Sequence, residues 1–249
     1  MPYGVGARFF DSLDSTNVKA SELALAGDKG PVWLVAGTQS SGKGRQGRVW
    51  TSKPGNLYTS LLFMPQIKPG EAGAIPFITA LAVRETLVGL GLEDDLVKCK
   101  WPNDILINHK KASGILIESS AGSSGYLDHV IIGVGMNLLH SPTDAAFKAT
   151  SFFEETKKAV DVRDALQLLA HNMKKRLDHW VVGQFEPIRR EWTEKAWGLG
   201  ETREIRTAKG TFEGTLLGLD SHGGIKISVP SGEEQIIYAA DIFPSLSGN

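Results

Sequence analysis

Residues 31–50 constrain the chain most. Pro31 to Thr38, PVWLVAGT, is a continuous β-rich apolar run that leads directly into QSSGKGRQGRVW, Gln39 to Trp50. Such a run predicts a strand buried on both faces, which in turn needs a covering layer on each side. The loop after it interleaves Lys43, Arg45 and Arg48 with Gly42, Gly44 and Gly47. Glycine permits positive φ and close approach of backbone to a ligand. Alternating cations and free backbone N–H groups together make a cradle for an anion. Gly37 to Gly44 nearly spells a phosphate-binding P-loop, but Gly44 stands where a Mg²⁺-holding Ser or Thr is required. Arg45-Gln46-Gly47-Arg48 is also a poor helix opening. The plain alternative for this loop is a solvated basic segment.

Upstream, Arg8 to Leu13 reads as a short strand, and Asp14 and Ser15 are good N-caps for a helix from Thr16 to Ala26. Capping alone would account for Ser15, Thr16 and Asn17. Downstream, strands are expected at Leu57–Met64, Leu96–Trp101 and Asp128–Asn137, with a hairpin of arms 104–108 and 112–118 around His109-Lys110. Helical spacing of apolar residues marks Ile75–Leu90, Val160–Val182 and the more charged Phe185–Trp197. This order lacks regular βαβ alternation, so the expected class is α+β with a mixed sheet flanked by helices. From Glu201 to Ile242 short β runs alternate with glycine turns, which predicts a small antiparallel barrel. The division expected is 1–198 and 199–249.

Lys100-Trp101-Pro102-Asn103-Asp104 gathers a lysine, an amide and a carboxylate at a strand end, where sites are commonly grafted. Lys111, followed by Ala112, Ser113 and Gly114, suits an anionic ligand pressed against backbone. Two glycines in the strand GVGMN, Gly133 to Asn137, mark a close approach of something to the sheet.

Bulk properties exclude several classes. The 249 residues are 41% hydrophobic and 22% charged, ordinary for a globular chain. A formal net charge of -1 argues against a general polyanion binder, so the cations at 43–48 are a local feature. Cys99 stands alone, and no Cys/His group has zinc spacing. The N-terminus lacks a signal-peptide pattern and no apolar stretch reads as a membrane span, so the expected location is cytoplasmic, without nucleic-acid or membrane partners.

Taken in order, Asp14-Ser15-Thr16-Asn17, Gln39 with GKGRQGRVW, SKPGNLYTSLL, KWPNDIL, KASGILIE and GVGMN resemble the biotin protein ligases over essentially the whole chain. The resemblance implies a catalytic domain of the class II synthetase and lipoate-ligase kind with a C-terminal SH3-like barrel. It implies ATP, Mg²⁺ and biotin as reactants, biotinyl-5′-AMP as intermediate, and a lysine of a biotin carboxyl carrier protein as acceptor. By position, Ser15, Thr16, Asn17 and Gln39 correspond to the pocket for biotin's ureido ring, with Gly114 also against biotin. Lys43, Gly44 and Arg45 correspond to the loop over biotin and its adenylate, and Lys111 to the lysine beside the carboxylate and α-phosphate. Lys111, Arg45 and Lys43 would carry the catalysis. Arg48, Trp50, Trp101, Asn103 and Asn137 would face the nucleotide, with Asp104 a metal ligand or a guide for the incoming lysine. Lys43 departs from the arginine usual in this loop, and lysine lacks the planar fork of arginine. The catalytic pattern starts near residue 8, leaving no room ahead of it for a helix-turn-helix. The chain is expected as a monomer or homodimer. Two rival readings are a lipoate or octanoate ligase and a non-catalytic biotin-sensing module.

Overall fold

A computed structural model describes residues 5–245. Strand β1 (Gly6–Leu13) passes through helix α1 (Thr16–Leu25) to β2 (Val32–Gln39), with which it pairs in parallel. β3 (Leu57–Phe63), β4 (Val97–Lys100), β5 (Asp104–Ile107), β6 (Lys110–Ala121) and β7 (Leu127–Met136) complete a seven-stranded sheet in the order β1-β2-β3-β7-β6-β5-β4. All neighbours other than β1 and β2 run antiparallel.

β2 is apolar at every position because both of its faces are covered. Val32 and Leu34 point toward Ala20 of α1, with Leu62 and Ile131 beside them, while Trp33 and Val35 enter the main core on the opposite face. That main core is roofed by α2 (Ile75–Gly89) and α4 (Val162–His179), which pack on each other, and by α5 (Glu186–Glu194). Between the sheet and α4 lies a short helix absent from the sequence-based expectation, α3 (Phe152–Thr156). Ser151 and Glu154 cap it reciprocally.

The run Pro69–Gly89 is 21 residues long and apolar enough to suit a membrane crossing, contrary to the expectation that none would be. Most of it is buried within the protein, as a core helix would be.

β8 (Thr202–Thr207), β9 (Gly210–Leu219), β10 (Ile225–Ser228), β11 (Glu234–Ile237) and β12 (Asp241–Pro244) form a separate antiparallel sheet, order β11-β10-β9-β8-β12. Its core residues Ile205, Leu216, Leu219, Ile225, Ile227 and Ile242 are continuous with the main core.

Candidate active site

A cavity of ≈ 400 Å³ opens on the α1 face of the large sheet, within the size range of small-molecule sites. Its floor follows from strand register. Tyr58, Gly135 and Gly114 lie abreast on β3, β7 and β6, and Ser60, Gly133 and Leu116 form the next row. Side chains alternate across a strand, so all six share one face. The glycines make room for side chains laid across that face, the Trp50 ring over Gly135 and Gly114 and the Asn17 amide over Gly133. A Cβ on Gly135 would come within 2.5 Å of the Trp50 ring, one on Gly114 within 2.7 Å of it, and one on Gly133 within 2.3 Å of Asn17 Oδ1.

One end of the cavity is neutral and buried. Ser15, Thr16, Asn17 and Ser60 are all nearly inaccessible. Gln39 Oε1 accepts from the Thr16 backbone N–H at 2.8 Å, while Gln39 Nε2 donates to Ser52 Oγ at 3.2 Å. Ser60 Oγ lies 2.7 Å from Thr16 Oγ1 and 2.6 Å from Asn17 Oδ1, and Asn17 Nδ2 donates to Glu118 Oε2 at 2.7 Å. Ser15 does occupy the N-cap position of α1, but its side chain makes no capping hydrogen bond. The capping explanation of Ser15-Thr16-Asn17 therefore fails: these side chains are directed to the cavity wall and to one another.

The other end is charged. The glycine-cation loop folds back as a tight hairpin, with Gly44 N donating to Arg48 O at 2.7 Å and Trp50 N to Gly42 O at 2.8 Å. Of its three glycines only Gly47 adopts positive φ, joined by Gln46. Gly42 is required for another reason, since a Cβ there would lie 2.4 Å from Trp50 O. Arg45, half-buried, reaches across the mouth to donate from Nη1 to Asn103 Oδ1 at 3.2 Å. Burial lowers the affinity of its guanidinium for a proton, and Asp241 and Asp104 oppose that effect. Lys43 lines the cavity but is exposed.

Lys111 Nζ stands 2.6 Å from Asp104 Oδ1 and 5.4 Å from the centre of the Trp50 ring. Lys100 Nζ is 3.5 Å from Asp104 Oδ2. Burial alone would raise the Asp104 pKa, but Lys111 and Lys100 outweigh it and hold the carboxyl below its usual value. A depressed carboxyl pKa stabilises the fold above the unfolded value and loses that contribution only as pH falls through the folded one. Asp104 is thus anionic at neutral pH. The Lys100 pKa is also lowered, in its case because burial penalises the ammonium, although Asp104 resists the change.

Two expectations need correcting. Asp104 is committed to two lysines, which is a poor setting for a metal ligand. No group of three His, Cys, Asp or Glu with metal-holding geometry occurs among the described residues. Trp101 does not line the cavity: it is buried in the core, and its indole N–H donates to Gly223 O at 3.0 Å, tying β4 to the C-terminal sheet. Asn137 does line the cavity, its amide Nδ2 donating to Thr150 O at 3.0 Å and leaving a second N–H and the amide oxygen.

Gly44, Arg45, Arg48, Trp50, Asn103, Lys111 and Gly114 all border the same space. Trp50 Nε1 is a buried donor without a partner among the described residues, an unusual state for a buried polar group. Sequence reasoning missed Ser60, Phe147, Asp241 and Phe243. Ser60 sits in the quoted segment SKPGNLYTSLL, and its inward register on β3 could have flagged it.

Comparison with known proteins bears on this arrangement. Residues 9–137 match the biotin/lipoate A/B protein ligase family. The biotin–[acetyl-CoA-carboxylase] ligase of Paracoccus denitrificans is 36% identical over 92% of this chain and 97% of its own. The bifunctional ligase/repressor BirA of Bacillus subtilis is 35% identical over 94% of this chain and 72% of its own. Among solved structures, the Aquifex aeolicus biotin protein ligase bound to biotin and ATP superposes with a TM-score of 0.81 at 28% identity, covering 96% and 99% of the two chains. The Leishmania major enzyme bound to biotinyl-5-AMP gives a TM-score of 0.66 at 26% identity, covering 96% and 100%.

Proposed function

The chain belongs to the biotin/lipoate A/B protein ligase family, and on that premise we propose that it is an ATP-dependent biotin protein ligase acting on a lysine of a carboxyl carrier domain. The observation that carries this reading is the polarity of the cavity along its length. Buried amide and hydroxyl groups (Asn17, Thr16, Ser60) with the half-buried Gln39 amide stand at one end, cations (Lys111, Arg45, Lys43) at the other, and a glycine floor lies between. A ligand with a hydrogen-bonding ring at one end and a carboxylate at the other matches that polarity, and biotin is such a ligand. Lipoate matches it poorly, because its dithiolane ring has no strong donor or acceptor. Each buried polar group left unpaired would cost ~1–3 kcal/mol.

In the first half-reaction the biotin carboxylate attacks the α-phosphorus of ATP, giving biotinyl-5′-AMP and pyrophosphate. Lys111, steered by Asp104, would offset charge growing on the α-phosphoryl oxygens. Arg45 and Lys43 would do the same from the loop, and a closed, water-poor site makes such charges most effective. Arg45 bonded to Asn103 would hold the loop over the reactive anhydride and keep water from it. In the second half-reaction an acceptor amine attacks the acyl carbon, forming an amide and releasing AMP. With Asp104 held by lysines, Mg²⁺ would arrive with the nucleotide and be held chiefly by its phosphates. A cytoplasmic location fits the need for ATP.

Biotin-dependent ATP–pyrophosphate exchange, followed by labelling of an isolated carboxyl carrier domain, tests the proposal. Exchange driven by lipoate instead of biotin would overturn the substrate assignment. Biotin binding without exchange would make the chain a sensing module.

A further inference from the structure

The C-terminal sheet places a carboxylate at the charged end of the cavity. On β12 the alternation of side chains sends Ile242 into the barrel core, while Asp241 and Phe243 on either side of it face the cavity. Phe243 rests on Phe147 at 6.1 Å between ring centroids, under the Arg206 guanidinium, which fixes the strand end against the mouth. Asp241 Oδ2 accepts from Arg48 Nη2, and Arg48 turns the same nitrogen to Gln46 Oε1 at 2.9 Å. This contact joins the barrel to the glycine-cation loop between residues 193 positions apart.

An anion here is chemically odd. The surrounding groups include Arg45, Lys111 and Lys100, a set suited to polyphosphate, and a fixed carboxylate repels the phosphates such a site should receive. The Arg48 side chain is also about half exposed, so its pair with Asp241 is of the weak, exchangeable kind. Both oddities resolve if the carboxylate fills in for a phosphate oxygen. Resting on the ligase reading above, we propose that Asp241 is an internal stand-in for the polyphosphate: it holds Arg48 when no nucleotide is present and yields Arg48 to the β- and γ-phosphates when ATP binds. When pyrophosphate leaves, Asp241 recaptures Arg48, so the barrel competes directly with product and speeds its release. Asp241 is a positioning residue here, since it acts on the phosphates chiefly through Arg48.

Inorganic pyrophosphate is the probe, titrated calorimetrically into the full-length protein. Asp241→Asn should bind it about two- to fivefold more tightly than wild type, the size expected for removing one exposed competing pair. In an Arg48→Ala background the same substitution should have a markedly smaller effect, since only the direct repulsion between the carboxylate and the phosphates is then removed. A merely structural role for Asp241 would weaken binding or act equally in both backgrounds, and either result overturns the proposal. Asp241→Ser supplies the same comparison should the Asn variant fold poorly. Biotin-dependent exchange by the wild-type protein is measured alongside. If exchange is present and Asp241→Asn is without effect, only the stand-in role fails. If exchange is absent, the ligase reading fails and takes this proposal with it.

Discussion

The two ends of the cavity are built on different principles. At the neutral end Ser60, Thr16 and Asn17 are buried and Gln39 half-buried; all hang from regular elements or their ends and already hold one another by hydrogen bonds. At the cationic end Lys43, Arg45 and Arg48 hang from a hairpin loop and stand half or fully open to solvent, and Arg45 and Arg48 hold an amide and a carboxylate that belong to other parts of the chain. The neutral end is thus preorganised for a ligand whose shape never changes. The cationic end must accept a triphosphate, lose pyrophosphate and then admit an amine, so it uses weak, exchangeable partners. Rigid dipoles serve recognition, and exchangeable charges serve turnover.

The largest test of this division is Lys111→Ala. Loss of one preorganised charge beside the reacting phosphoryl group should lower adenylate formation by about 10²–10³-fold. Transfer from supplied biotinyl-AMP should fall far less, and biotin affinity at the far end should change little. Equal losses in the two half-reactions, read by pyrophosphate release and by carrier labelling, would place Lys111 in general structure rather than in phosphoryl chemistry.

Asn17→Ala probes the opposite end. It removes an amide from the wall of the neutral end, and a ureido group left without that buried partner would lose ~1–3 kcal/mol, or about 5- to 150-fold in biotin affinity. The KM for ATP should stay near wild type. Parallel weakening of both ligands would erase the distinction between the ends. Arg45→Gly should slow adenylate formation through the lost charge and also loosen retention, because the Nη1 bond to Asn103 is what spans the mouth. Free biotinyl-AMP, followed by chromatography of the filtrate, should rise about three- to tenfold, the worth of one such hydrogen bond.

The same contrast explains what could be read in advance. Local patterns were legible: β2 from its unbroken apolar run, α4 from its stripe, the β5–β6 hairpin from its alternation. Even there the turn lies one residue earlier than expected, at Asn108-His109. Both residues take positive φ, which asparagine and histidine tolerate better than most, and Lys110 is already in the strand. Trp101 was misassigned because the carbonyl that claims its N–H belongs to Gly223, far along the chain in the other sheet. Asp241 escaped notice for the same reason: nothing near it in sequence marks it as the partner of Arg48. The cradle of Ser15, Thr16 and Asn17 was visible as a motif, but its purpose was ambiguous. Helix caps and ligand walls use the same short polar side chains, and only Ser60, brought in by strand register, decides between them.

The smallest effect discriminates most cleanly between the two ends. Interactions between exposed charges are screened by salt, whereas short hydrogen bonds between buried neutral groups are nearly indifferent to it. Raising ionic strength from ~0.05 to ~0.5 M shortens the screening length from roughly 14 Å to roughly 4 Å. Inorganic pyrophosphate binding, which depends on Arg48, Arg45 and Lys111, should weaken severalfold over that range. Biotinol carries the ureido ring but no carboxylate, so it touches the neutral end without engaging the cations. Its affinity should stay within a factor of about two, since Gln39, Asn17 and Ser60 carry no charge to screen, and Asn17 and Ser60 are buried. A salt response shared by both probes would mean that the cationic loop governs the whole cavity, and that the neutral end is not the independent recognition element its hydrogen bonds make it.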